Sequence, residues 1–134
     1  MAYDSIDEAF HYISDAPFGE RVAVVHRLTG QVFLASRKAG FDERPAGTEN
    51  DPDYLTIPHR QELDPGKPLV LEFVRSHCPT ELARVEALFA RPGAFRNVKD
   101  LLRRKYLLNN WQVFEGRRME ELLRQWCATQ GLPL

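Results

Sequence analysis

The chain has 134 residues, 43% hydrophobic and 28% charged, with a net charge of −1. That length buries enough apolar surface for an independent core without metals or disulfides, the composition excludes wholesale disorder, and near-neutrality removes any global field driving the chain onto nucleic acid or a membrane. No run approaches the roughly 18 apolar residues of a spanning helix, and the acidic start Met1-Ala2-Tyr3-Asp4-Ser5-Ile6-Asp7-Glu8 is unlike a signal peptide.

Charge is distributed unevenly. Residues 1–66 carry 12 acids and 6 bases, a net of −6. Residues 91–105 carry Arg91, Arg96, Lys99, Arg103, Arg104 and Lys105 against Asp100 alone, a net of +5. Cys78 and Cys127 form no Cys-x-x-Cys pair and have no zinc-spaced companions, so they read as reduced, mostly buried thiols.

In chain order, Ser5-Ile6-Asp7-Glu8 has the form of a capping box, and Ile6, Phe10 and Ile13 recur on one helical face, which predicts a helix over 5–16 closed by Pro17 and Gly19. Arg21–Leu28 and Gln31–Ser36 are rich in β-branched and apolar residues and flank Thr29-Gly30. They predict a β-hairpin with a two-residue turn, and the alternation leaves His26 half-buried. Residues 37–52, with two glycines, two prolines and many charges, predict a charged, mobile surface loop. Tyr54–Ile57 predicts a short third strand, and Leu63-Asp64-Pro65-Gly66 a turn.

The rest of the chain has helical periodicity. Leu69, Val70, Phe73 and Val74 line a helix opened by Pro68 and ended by Pro79. Thr80 is placed to cap the next helix, whose stripe is Leu82, Val85, Leu88 and Phe89, and Pro92-Gly93 breaks it. Ala94, Phe95, Val98, Leu101 and Leu102 line a helix over 94–105. Trp111, Phe114, Met119, Leu122 and Trp126 line a last helix ending at Gly131, a left-handed cap, with Gly116 a point of kinking or division. Helix, three strands, then four helices is the order of an α+β fold in one domain over 1–134, with a small antiparallel sheet. Exposed sheet edges favour a homodimer.

Several blocks together resemble a bacterial family known only as an uncharacterised protein family of the UPF series: Tyr54-Leu55-Thr56-Ile57-Pro58, Glu62–Gly66, Phe73-Val74, Gly93-Ala94-Phe95 with Lys99-Asp100-Leu101-Leu102, Trp111, and Trp126-Cys127. The resemblance covers about residues 54–131. It implies a bacterial cytoplasmic protein in a recurring fold, and brings no catalytic residue, cofactor or substrate with it. Val98 stands where that block more often has an aromatic, which bears on core packing rather than function.

Arg96, Lys99 and Arg103 fall at i, i+3 and i+7 on one helical face opposite the apolar stripe, and Arg104 and Lys105 extend the charge. Such a face suits an acidic partner, and it also suits the bland role of a solvated surface or helix-end counter-charge. Adjacent His77-Cys78 cannot easily form a nucleophile–base pair, because neighbours on a helix point two ways. Asp51/Asp53 and Glu62/Asp64 read as turn chemistry, and Tyr106, Trp111, Phe114 and Trp126 as core aromatics. The chain lacks G-x-x-x-x-G-K-[ST], G-x-G-x-x-G, G-x-S-x-G and H-E-x-x-H. The expectation is a non-catalytic protein-binding or regulatory module with no metal and no cofactor, its tentative binding residues being Arg96, Lys99, Arg103 and Arg104. The alternative is a nucleic-acid binder using 94–105.

Overall fold

The structure, a computed structural model, describes residues 3–132. It is α+β: helix α1 (Tyr3–Ser14), strands β1 (Arg21–His26), β2 (Val32–Ser36), β3 (Phe41–Asp42) and β4 (Tyr54–Thr56), and helices α2 (Arg60–Leu63), α3 (Lys67–His77), α4 (Leu82–Phe89), α5 (Ala94–Arg104) and α6 (Leu108–Thr129). The chain divides into two compact units, one of residues 65–118, the other of the chain up to Asp64 with Met119 onward. No helix among the described residues is long and apolar enough to cross a membrane.

The first unit in sequence is built on an antiparallel sheet ordered β3-β2-β1-β4. Side chains alternate across it. Ala23 and Val25 face the same core as Ile6, Ala9, Phe10 and Ile13 of α1, Ile57, and Met119, Leu123 and Cys127 of α6. The opposite face carries the cross-strand row Phe33–Val24–Thr56 and the edge-to-face rings of His26 and Tyr54. Both edge strands are short, one of the ways natural sheets blunt their edges.

Several local expectations are corrected. Ser5 is not a helix cap, because α1 is already helical at Tyr3. The hairpin forms over 21–36, but its connection runs through 27–31 and not through two residues. Arg21 pairs with Ser36 and Val25 with Val32, and His26 Nδ1 accepts from the Leu28 and Thr29 amides. That side-chain acceptor stabilises a wider turn than Thr29-Gly30 alone would dictate. The sheet has four strands instead of three, because β3 forms inside the expected loop 37–52, which also holds a 3-10 turn at Thr48–Asn50. Thr80 caps nothing: Pro79–Glu81 is a 3-10 turn leading into α4. A capping box does occur, at His59: its Nδ1 accepts from the Gln61 amide and its own amide donates to Glu62 Oε1. His59 Nε2 lies 2.9 Å from the Ala16 carbonyl oxygen, tying this cap to the end of α1.

β3 pairs with β2 and is followed by a local fork. Arg44 Nε and Nη2 donate to the two oxygens of Asp42 at 2.9 and 2.8 Å, and the Arg44 amide donates to Oδ1. These bonds favour the carboxylate, so the Asp42 pKa is held down at about 2. Because the folded value lies below the unfolded one, the stabilisation is present above the ordinary carboxylate range and is lost as pH falls through about 2. An NMR titration of the Asp42 carboxyl carbon is expected to show a midpoint near 2, returning to the ordinary range in Arg44→Ala. An ordinary midpoint in the unsubstituted chain contradicts the fork.

The unit of residues 65–118 is all helical. Its core is Leu69, Val70, Phe73 and Val74 of α3, Val85 of α4, Val98, Leu101 and Leu102 of α5 and Trp111 of α6. Phe73 is at its centre: its ring meets Trp111 edge-on at 5.5 Å, Phe114 at 5.4 Å and the stacked His77 ring at 4.1 Å. Gly66 opens α3 at φ 71°, ψ −123°, a conformation that is essentially glycine's alone. α6 runs unbroken past Gly116, so the helix is not divided there.

Candidate functional site: the α5 surface

α5 starts where Pro92 stops α4 and Gly93 takes the left-handed conformation, φ 74°, with its carbonyl accepting the Asn97 amide. The apolar spacing turns Val98, Leu101 and Leu102 into the core. Arg96, Lys99, Arg103 and Arg104 are left exposed, as the sequence places them. Phe95 departs from expectation. It is 50% exposed, because it lies on the flank of the stripe beside the cationic face, and its ring meets Phe89 edge-on at 5.3 Å.

The six bases of 91–105 are not equivalent. Lys105 Nζ is 3.2 Å from Glu81 Oε1, and Arg84 approaches the other Glu81 oxygen at 3.5 Å, so this carboxylate, its side chain only 12% exposed, has two cationic partners. Arg103 donates to Asp100 Oδ1 at 2.8 Å. No carboxylate among the described residues lies within ion-pair distance of Arg96, Lys99 or Arg104. The cationic face therefore consists of three uncompensated charges arranged around one compensated pair, Asp100–Arg103.

α5 ends in a Schellman motif. The Tyr106 amide donates to the Arg103 carbonyl at 3.1 Å and the Leu107 amide to the Leu102 carbonyl at 2.8 Å. Leu107 supplies the accompanying apolar contact to the core. The residue in the left-handed position is Tyr106, at φ 59°. The sequence reading of Tyr106 as a core aromatic is corrected: it is 92% exposed, while Trp111 is buried and Phe114 half-buried.

Other candidate residues are engaged locally. His77 Nδ1 sits 2.8 Å from Ser76 Oγ and 3.2 Å from the Phe73 carbonyl, and no hydrogen bond joins it to Cys78. Burial pushes the Cys78 thiol pKa up; Glu81 adds to this and Lys105 opposes it. Asp51 accepts from the Asp53 amide, Asp53 pairs with Arg27 at 2.7 Å, and Glu62 is spent on the His59 cap. No group of three or more His, Cys, Asp or Glu among the described residues is placed to hold a metal. The sheet-bearing unit has shallow clefts, one of about 560 Å³ between α1 and β2 lined by Glu8, Tyr12, Gln31 and Glu43, another of about 430 Å³ beside β3 that includes Arg37 and the Asp42–Arg44 fork.

Sequence reasoning found the cationic face and missed its aromatic edge. The available signals were the position of Phe95 next to Lys99 on the helical wheel, and an apolar Leu107 following a cationic helix end. Comparison of the chain with protein-family models, curated proteins and solved structures yields no match.

Proposed function

We propose that this chain is a non-catalytic protein-binding module and that the exposed face of α5 docks an acidic segment of a partner protein. The observation that carries this reading is the set of three uncompensated cations on α5, Arg96, Lys99 and Arg104, with the half-exposed Phe95 next to Lys99 on the helical wheel. Arginine and aromatic side chains are the residue types that dominate protein interfaces. Asp100, half-exposed in the middle of the face, favours a protein partner over nucleic acid. A continuous phosphate chain laid along α5 must pass that carboxylate, whereas a peptide can space its acidic side chains to avoid it. The resemblance to the UPF series carries no activity and leaves this reading as it stands.

The test is affinity for poly-L-glutamate at low salt, measured by anisotropy of the labelled polymer. Reversing Arg96, Lys99 and Arg104 to Glu is expected to weaken binding about 100-fold, taking roughly 1 kcal/mol per reversed charge. Added salt is expected to weaken binding of the unsubstituted chain. Absence of binding, or binding indifferent to the reversal, contradicts the reading. An oligo(dT) of equal charge that binds tenfold tighter than the polypeptide replaces it with the nucleic-acid alternative through 94–105.

A further inference from the structure

We propose that Tyr106 is the aromatic anchor of this docking surface, packing against an apolar or aromatic side chain carried by the acidic partner segment. This rests on the α5 reading above and specifies the partner: acidic residues interspersed with apolar ones.

α6 ends in the same motif as α5: the Gly131 amide donates to the Ala128 carbonyl and the Leu132 amide to the Cys127 carbonyl, and Leu132 is buried. The residue in that position there is glycine, φ 74°, and φ is likewise positive at Gly19, Gly30, Gly40, Gly47, Gly66 and Gly93. Among the described residues Tyr106 is the only non-glycine with positive φ. A Cβ is strained in that conformation, and a bulky side chain there calls for an explanation.

Folding does not supply one. The Schellman hydrogen bonds come from backbone amides and need no side chain. Tyr106 is 92% exposed, and among the described residues its side chain makes no ring, cation–π, ion-pair or hydrogen-bond contact. A bulky side chain kept at a strained position where it makes no contact of its own points to a function outside the folded chain. Position indicates which function: Tyr106 is two residues past Arg104 at the end of the cationic helix. Tyrosine offers large contact area with little rotamer freedom to lose, which is why it recurs as an interface anchor.

The test compares two acidic probes, poly-L-glutamate and the random copolymer of glutamate and tyrosine, on the full chain and on Tyr106→Gly, Tyr106→Ala and Tyr106→Trp. The unsubstituted chain is expected to prefer the copolymer by about tenfold per unit charge. Tyr106→Gly and Tyr106→Ala are expected to lose that preference while still binding poly-L-glutamate, and Tyr106→Trp to keep it. The melting temperature of Tyr106→Gly is expected to be unchanged or up to about 4 °C higher, since relief of strain opposes the backbone entropy of glycine. A clear fall in melting temperature overturns the premise that the ring does nothing for the fold. Equal binding of both probes by the unsubstituted chain, or a preference that survives loss of the ring, overturns the anchor and leaves α5 docking intact. If neither probe binds, the α5 reading itself fails and the anchor with it. If loss of the ring weakens oligo(dT) binding and not copolymer binding, the ring serves nucleic acid and the anchor is overturned.

Discussion

Replacing Phe73 with alanine is expected to destabilise the 65–118 unit by about 3–5 kcal/mol, the range for truncating a buried aromatic. Phe73 is fully buried, and its ring is the common neighbour of Trp111, Phe114 and His77. Truncation removes its apolar transfer energy and leaves a cavity in a close-packed core of aliphatic side chains and the Trp111 ring, which collapses only in part. Edge-to-face contacts contribute about 0.5–1.5 kcal/mol beyond area burial. Against a typical domain stability of about 5–15 kcal/mol, the loss is a large fraction. Urea unfolding followed by Trp111 fluorescence, in a Trp126→Phe background, measures it. A loss below about 1 kcal/mol would mean that Phe73 is not the centre of this core.

The second large effect is expected at Leu123. It is fully buried on α6 in the core formed by Ile6, Phe10, Ile13, Val25 and Ile57. Leu123→Ala is expected to cost about 2–5 kcal/mol, depending on how far α1 and the sheet relax toward the missing side chain. Amide exchange of β1 measures it, since the Ala23 and Val25 side chains share that core. Protection in β1 unchanged by the substitution would contradict the assignment of α6's second half to this core.

Legibility varied along the chain for identifiable reasons. The hairpin over 21–36 and the stripe Val98–Leu101–Leu102 were visible because period-2 and period-3.6 patterns encode burial directly. The Gly131 cap was visible because glycine advertises its backbone freedom. β3 was not, because two residues inside a charged segment carry no period, and its fork depends on where Arg44 folds back. The His59 cap was missed because imidazole is not among the usual capping side chains. In the candidate site the cations were legible from spacing, but their partners were not. Lys105 is paired with Glu81, far away in sequence, while Arg96, Lys99 and Arg104 are uncompensated, and only three-dimensional placement distinguishes them. Tyr106 was legible only indirectly, through the apolar Leu107 that follows a cationic helix end, because no sequence pattern forces a tyrosine into the left-handed region. Helical spacing placed Trp111 to Trp126 on one side of a single last helix. In the structure Trp111 and Phe114 pack with the 65–118 core, while Met119, Leu122 and Trp126 pack with the sheet-bearing one.

The most direct test of the account is to map where an acidic polypeptide touches the chain. Backbone amide shifts recorded during titration with poly-L-glutamate are predicted to move at residues 95–106, most strongly around Arg96, Lys99 and Arg104, and to stop moving when those three are reversed to glutamate. Shifts concentrated on the sheet, or no shifts at polymer concentrations that saturate other cationic helices, would contradict it.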